Sequence, residues 1–494
     1  MVDLVKKKLG KLVGLKKESF NELIKAKEIS VVRPRLLPVY KLGDEMALTS
    51  VLLSALRLVK EFREQFFQTA KMSRGGKAYF YSEVAFSDFP ESRIDGLIVI
   101  VKAGVIQDAA ILEVKNGRDK LDKAQLERYQ SIARALSIPN FITVSNEFVT
   151  EPTQSPVLLK QYKSIDQYHY SWTYLLTVAH VLLYKNMSNI EDEDQVEIMK
   201  EVVRYFESEK TGVIGYSRMS PEWAQTIEKI KDGALVKASD EGVRSAVRSW
   251  QQQERDMALA LSRGIGLIVE CGEARYKGNM ALRLDDDCKK LVADEQLISV
   301  FKIKGAAADI RIKCLLNKRT MELSVTLKAP DNKTTKGKIG WLKKQIETCL
   351  KKQPKIIESL SKEIFIEPCV KGARLNERFI LEDFDKISDC LATKQLREFT
   401  ILQVKYLGAK FLSPTKFVDV SELMLQEFYT GVVQNVTKWE PQAPKVKPRE
   451  SALEEEAFIE DVNRGVYVKD PAEQSLHQDI TALAGLPSQR TSDG

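Results

Sequence analysis

Residues 93–129 read RIDGLIVIVKAGVIQDAAILEVKNGRDKLDKAQLERY, and this stretch decides the fold that we predict for the chain. Two runs rich in Val and Ile, at 94–102 and 105–114, are separated by Ala103-Gly104. Short β-branched runs split by a glycine are typical of a β-hairpin. We therefore predict two antiparallel strands joined by a turn centred on Gly104.

This turn places two acids opposite each other, because Asp95 and Glu113 are equally far from Gly104 in the sequence. Cross-strand partners have Cβ atoms about 4.5–5.5 Å apart, and two carboxylates at that distance repel each other. A divalent cation between them would remove the conflict, and Mg²⁺ prefers carboxylate oxygens. Lys115 follows two residues after Glu113 and shares its strand face. Two acids and a lysine on one sheet face are suited to metal-assisted phosphodiester hydrolysis.

A helix is predicted to follow at 119–136, where apolar residues recur at helical spacing. Gln125 and Tyr129 are i,i+4 neighbours on it, so Gln125 can contact a phosphate or a water while Tyr129 supports it. Two simpler interpretations stay open. Glu113 and Lys115 can be a solvated pair at a strand end, and Tyr129 can be a core residue beside a surface Gln125.

Asp95, Glu113-Val114-Lys115 and Gln125-x-x-x-Tyr129, in strand–strand–helix order, resemble the PD-(D/E)XK nuclease superfamily, particularly its RecB-like and Holliday-junction-resolvase-like branches. The resemblance covers roughly residues 42–147, and Ile94 stands where the family has a proline before the acid. It implies an α/β, restriction-endonuclease-like mixed sheet flanked by helices.

The resemblance also implies the site chemistry. Mg²⁺, with Mn²⁺ able to substitute, would be held by Asp95, Glu113 and an earlier helical acid, for which Glu45 is the candidate. Lys115 would position a water, act as a base or stabilise charge, and Gln125 and Tyr129 would support the site. Glu83, on a predicted strand at 78–86, is a second candidate for an accessory ligand.

The composition excludes other classes of chemistry. The chain has 494 residues, 44% of them apolar and 29% charged, which is typical of globular proteins that form several domains. Three histidines argue against a histidine-rich metal site, and six scattered cysteines without a Cys-x-x-Cys argue against a zinc ribbon. The sequence has no phosphate-binding loop of the Gly-x-x-x-x-Gly-Lys-Ser/Thr type. Reduced cysteines, together with the absence of a signal peptide or an apolar span, predict a cytoplasmic protein.

The pattern along the chain predicts five regions. Residues 1–40 form a basic amphipathic arm, and 41–150 form the nuclease-like domain, beginning with one long helix at 42–67. Residues 151–263 are predicted to be helical, and 264–438 to form an α+β accessory domain for recognition or oligomerisation, starting with a strand at 265–284. The proline- and charge-rich end, 439–494, is predicted to be largely disordered.

The net charge of +7 is compatible with a polyanionic partner. Basic residues lie close to the motif in sequence and are candidates for nucleic-acid contacts: Arg118, Lys120, Lys123 and Arg128. We expect a DNA endonuclease, of the kind found in restriction or anti-phage defence, with a second copy or a companion protein as a further partner. The alternatives are an inactive nuclease-fold scaffold that binds nucleic acid, and a protein that associates with a membrane surface through its basic N-terminal segment.

Overall fold

The computed structural model describes residues 10–38, 40–117, 119–149, 152–184, 190–276, 279–373, 376–391 and 394–440. The chain divides into two compact units, Met1–Trp439 and Glu440–Gly494. The predicted disordered tail therefore lies almost entirely outside the described residues. Everything that follows concerns the first unit, which is mixed α/β with a mixed sheet flanked by helices.

The first unit begins with a six-stranded sheet in which neighbours in sequence are neighbours in space. Strands β1 to β4 pair antiparallel, and β5 and β6 add in parallel. The elements of this part are α1 (Lys17–Lys25), β1 (Ile29–Val32), α2 (Glu45–Leu58), α3 (Lys60–Thr69), β2 (Lys77–Phe86), β3 (Arg93–Lys102), β4 (Val105–Val114), α4 (Lys123–Ala135), β5 (Asn140–Ser145), β6 (Asp166–Ser171), α5 (Trp172–Leu183) and α6 (Glu193–Glu207).

Helices cover both faces of this sheet. Helices α2, α3, α5 and α6 contribute to the apolar core on one face. Helix α4 and the N-terminal segment pack on the other face, where Phe20 is fully buried. From Gly10 onward, the predicted basic arm thus packs its apolar side on its own sheet; its first nine residues lie outside the described residues. Among the residues described, no helix has the length and apolar character needed to cross a membrane.

The second part is a seven-stranded antiparallel sheet in the order β12-β11-β13-β10-β9-β8-β7, with helices around it. Its elements are α7 (Pro221–Lys231), α8 (Glu241–Ile265), β7 (Glu270–Cys271), α9 (Met280–Asp294), β8 (Gln296–Lys302), β9 (Ile310–Leu315), β10 (Thr320–Lys328), α10 (Thr335–Lys352), α11 (Pro354–Ser359), β11 (Ile364–Val370), β12 (Phe379–Ile380), α12 (Lys386–Leu391), β13 (Leu396–Tyr406), α13 (Ala409–Leu412) and α14 (Pro414–Phe428). All six cysteines lie in this part and are free thiols.

The predicted hairpin is present, but its turn differs in detail. Ala103 and Gly104 alone form the turn, both with positive φ (50° and 74°), as a two-residue hairpin loop requires. Val101 pairs with Ile106, whereas Ile100 pairs with Asp108, so Gln107 is an extra residue on β4. This bulge restores the predicted register: Gly96 pairs with Leu112, and Asp95 and Glu113 come next on their strands.

Three predicted elements are wrong. The helix predicted at 42–67 is two helices, because Val59 is extended (φ −107°, ψ 108°) and the freed Lys60 amide donates to Gln195 Oε1 at 2.8 Å. The region 151–263 is not wholly helical, because β6 extends the first sheet beside β5. The predicted strand at 265–284 is only the two-residue β7, and Met280 begins α9.

A buried carboxylate pair lies where the long helix α8 packs against α14. Asp256 on α8 is 3% exposed, and its Oδ2 accepts from the Tyr216 amide at 3.2 Å. Burial, and then the charge of Glu422 on α14, raise the pKa of Asp256 to about 8, against the opposing charge of Arg263. Because the folded pKa exceeds the unfolded one, this group favours folding at low pH, and its contribution is lost as the pH rises through about 8.

We therefore expect Asp256→Asn to remove part of the pH dependence of stability. Asparagine resembles the protonated acid, so the variant should melt close to the wild type near pH 4 and increasingly above the wild type as the pH rises to about 8. Thermal melting across this range is the measurement. A difference between the two proteins that does not change with pH would contradict the assignment.

Candidate functional site

The ends of β3 and β4 and the start of α2 bring four of the predicted residues together. Asp95 is on β3, Glu113 is on β4, and Lys115 follows β4 directly. Glu45 is the first residue of α2, where the positive end of the helix dipole stabilises an acid. Lys115 Nζ lies 3.0 Å from Glu45 Oε2 and 3.1 Å from Glu113 Oε1, so one ammonium group connects two carboxylates.

Glu113 is the most constrained of these groups. Its side chain is fully buried, and neither carboxylate oxygen accepts an aligned hydrogen bond from the described residues, so its contact with Lys115 is an ion pair. Burial, and then the charge of Asp95, raise the pKa of Glu113 to about 9, while Lys115 opposes this shift. Burial also raises the pKa of Asp95, although its Oδ2 accepts from the Val114 amide at 2.7 Å. The pair thus needs a proton or a cation.

Lys115 is held in its charged form. Burial alone would lower its pKa, but the carboxylates of Glu113 and Glu45 outweigh burial and raise the pKa above the usual range of a lysine. A lysine that keeps its proton at neutral pH donates hydrogen bonds and supplies positive charge. Of the roles predicted for Lys115, this arrangement favours charge stabilisation and water positioning over that of a general base.

Backbone contacts from distant parts of the chain fix the segment that carries Lys115. The Lys115 amide donates to Val144 O at 2.8 Å, and its carbonyl accepts from Trp172 Nε1 at 3.0 Å. The next residue, Asn116, donates through its amide to Glu45 Oε1 at 3.3 Å and through Nδ2 to the carbonyls of Gly43 (2.8 Å) and Thr211. The site therefore depends on residues well beyond the predicted nuclease region.

Gln125 and Tyr129 form a hydrogen-bonded chain to β3, the strand that carries Asp95. Helix α4 begins where the Asp122 side chain accepts from the Gln125 amide. Gln125 Nε2 then donates to Tyr129 OH at 3.0 Å, and Tyr129 OH donates to the Arg93 carbonyl at 2.6 Å. Burial, and then the charge of Glu113, raise the pKa of Tyr129 to about 12. These two side chains thus join α4 to the start of β3, two residues before Asp95.

Three predicted nucleic-acid contacts lie on exposed positions between β4 and α4 or on α4 itself: Lys120, Lys123 and Arg128. Lys123 is 3.9 Å from Glu127 in an exposed i,i+4 pair. Arg118 lies outside the described residues. Glu83, the second accessory candidate, is buried on β2 and forms an ion pair with Arg93, whose Nε lies 2.9 Å from Glu83 Oε2.

Sequence reasoning missed Asn116, Trp172 and Arg93. Asn116 and Arg93 flank motif residues, so their position next to the motif was the available signal. Trp172 reaches the site only because β6 is a strand, which the aromatic pattern at 168–174 did not reveal.

The donor groups that this site offers to a cation are the carboxylates of Glu45, Asp95 and Glu113. Within the described ranges, no group of three or more His, Cys, Asp and Glu side chains is arranged around a common metal position. The buried Glu113 carboxylate without an aligned donor is nevertheless the kind of group that a divalent cation satisfies. Comparison with protein-family models, curated proteins and solved structures found no match.

Loss of the Lys115 charge should destabilise the protein, because Glu113 and Glu45 would share no cation. We expect Lys115→Met to cost about 1–3 kcal/mol, the usual penalty for a buried polar group left unpaired. That corresponds to a melting temperature lower by roughly 2–10 °C. Thermal melting at pH 7 is the measurement.

Lys200→Met is the matched control, since Lys200 pairs with Glu197 on the exposed surface of α6 at 2.6 Å. Solvent screens that pair, so the control should melt like the wild type. Equal melting temperatures for Lys115→Met and the control would show that the Lys115 contacts are not stabilising.

Proposed function

We propose that the protein is a Mg²⁺-dependent nuclease of the PD-(D/E)XK type that hydrolyses phosphodiester bonds, with DNA as the favoured substrate. One observation carries this proposal: the fully buried carboxylate of Glu113 is opposed by the half-buried carboxylate of Asp95 and adjoins a lysine that is held in its charged form. A protein built only for stability has no reason to oppose two acids where one of them is fully buried.

Each residue of the site has a separate role in this proposal. Asp95 and Glu113 would hold Mg²⁺, and Glu45 would complete the ligand set, with Mn²⁺ able to substitute. When bound, Mg²⁺ supplies positive charge that stabilises the negative charge developing on the phosphodiester group. Lys115 donates hydrogen bonds to a phosphate oxygen or to the attacking water and offsets negative charge. Tyr129 and Gln125 hold α4 against β3 and thereby keep Asp95 in place.

The order of the elements supports the restriction-endonuclease-like interpretation. Helix α2, which begins with the acid Glu45, precedes the antiparallel strands β2, β3 and β4; then α4 leads into β5, which pairs parallel with β4. The acids and Lys115 lie at the end of the hairpin away from its turn. We propose a DNA-cleaving role in restriction or anti-phage defence, with the second sheet serving recognition or self-association.

Cleavage of a supercoiled plasmid tests the function directly. Wild-type protein should nick or cut the plasmid with Mg²⁺ or Mn²⁺ and should be inactive with EDTA. Lys115→Ala should lower the rate by about 100-fold or more, because it removes a charge that acts on the transition state. Lys200→Ala should cleave at the wild-type rate.

Binding and cleavage must be measured separately, by fluorescence anisotropy with labelled DNA in EDTA and by gel assay with metal. Equal cleavage by wild type and Lys115→Ala would refute the assigned role of Lys115. Binding without cleavage of any DNA or RNA in either metal would instead support an inactive scaffold that kept the fold.

A further inference from the structure

Glu83 has an unusual backbone conformation for a strand residue. It lies within β2 with φ +51°, in the left-handed region that residues with a Cβ rarely adopt. On β3, the partners Gly96 and Ile94 are paired with the residues on either side of Glu83, which places Glu83 across from Asp95. A non-glycine residue persists in this conformation only where its surroundings enforce it, and such residues concentrate at functional sites.

The Glu83 side chain is buried in this conformation and lies next to Arg93. It is only 6% exposed, and its Oε2 forms an ion pair with Arg93 Nε at 2.9 Å, whereas its Oε1 has no hydrogen-bond partner within the described residues. Glu83, Asp95 and Glu113 occupy successive positions across β2, β3 and β4. The buried acid is therefore placed to hold Arg93 next to the acidic site.

Arg93 is fixed at its backbone and at its Nε, but not at the end of its guanidinium group. Its carbonyl accepts from Tyr129 OH at 2.6 Å, and its Nε forms an ion pair with Glu83 Oε2 at 2.9 Å. The side chain is 62% exposed, and its terminal nitrogens make no further hydrogen bond or ion pair with the described part of the chain. A guanidinium held in this way presents a planar pair of donors that match two phosphate oxygens.

An ordinary surface ion pair does not need this arrangement. Arg204 on α6 illustrates the contrast, because it pairs with Glu201 while both side chains stay exposed, at 71% and 62%. The partner of Arg93, Glu83, is instead buried and has a strained backbone conformation. Arg93 itself lies two residues before the acid Asp95. Glu83 thus restricts the orientation of Arg93, while the Arg93 side chain itself stays exposed to solvent.

We propose that Arg93, oriented by Glu83, is a phosphate-binding residue that contacts the nucleic-acid backbone beside the bond to be cleaved. This inference rests on the proposed nuclease function, and it names a substrate-binding residue that the motif does not contain. Its ligand is a phosphodiester group of DNA, which Arg93 binds without reading the base sequence.

Binding of a short fluorescein-labelled DNA duplex to the full chain in EDTA tests this inference without any cleavage. Arg93→Ala should weaken binding by about tenfold and reduce the slope of log K against log salt concentration by about one, because one phosphate contact is lost. Arg93→Lys keeps the charge, so it should retain the slope but bind more weakly than the wild type.

Glu83→Gln and Arg204→Ala complete the comparison. Glu83→Gln leaves Arg93 charged but less well oriented, so it should raise KM for plasmid cleavage more than it lowers kcat. Arg204→Ala should match the wild type in affinity and salt slope. Circular dichroism and thermal melting of each variant establish that it is folded.

The outcomes separate the two proposals. If Arg93→Ala binds DNA as tightly as Arg204→Ala and with the same salt slope, the role of Arg93 is overturned while the nuclease function stands. If wild type binds DNA but never cleaves it, the nuclease function fails and Arg93 is still judged by binding. If wild type binds no nucleic acid, Arg93 is not a phosphate-binding residue of this protein.

Discussion

The opposition of Asp95 and Glu113 is the constraint on which the first sheet depends. Two acids on neighbouring strands are unfavourable where burial raises the pKa of both. The arrangement nevertheless has a specific structural cause, because the extra residue Gln107 sets the register that brings the two positions together. The Val114 amide and Lys115 then offset part of the repulsion. Features that are unfavourable for folding and yet specifically built are expected at functional sites.

The segment that carries Lys115 is held beside the Asp95–Glu113 pair by contacts from several parts of the fold. Strand β5 supplies the carbonyl of Val144, and Trp172 at the start of α5 donates to the Lys115 carbonyl. Asn116 connects the same segment to Gly43 and to Thr211, which follows α6. Four regions far apart in sequence therefore hold a single lysine. A local hairpin could bring the acids together, but only the assembled sheet with α2, α5 and α6 places the cation between Glu113 and Glu45.

The parts predicted correctly were those governed by local pattern. The hairpin, the order of β2, β3, β4, α4 and β5, and the placement of Glu45 on the preceding helix follow from period, turn residues and spacing. The errors arose where tertiary contacts decide. Val59 breaks a continuous helical pattern because Gln195 accepts from the next amide, and β6 is a strand because β5 offers it an edge. The bulge at Gln107 leaves no signal in composition, although the predicted register was obtained without it.

The charge state of Lys115 limits what chemistry the site can carry out. A lysine between two carboxylates keeps its proton, so under the proposed nuclease function the proton of an attacking water would go elsewhere, to a carboxylate, to the phosphate or to solvent. The polyanionic substrate of the proposed function would add negative charge to a site that already has four acids, Glu45, Glu83, Asp95 and Glu113. Lys115 is paired with two of these acids, and Arg93 with one. Binding of such a substrate would require further positive charge, which a divalent cation between Asp95 and Glu113 would provide.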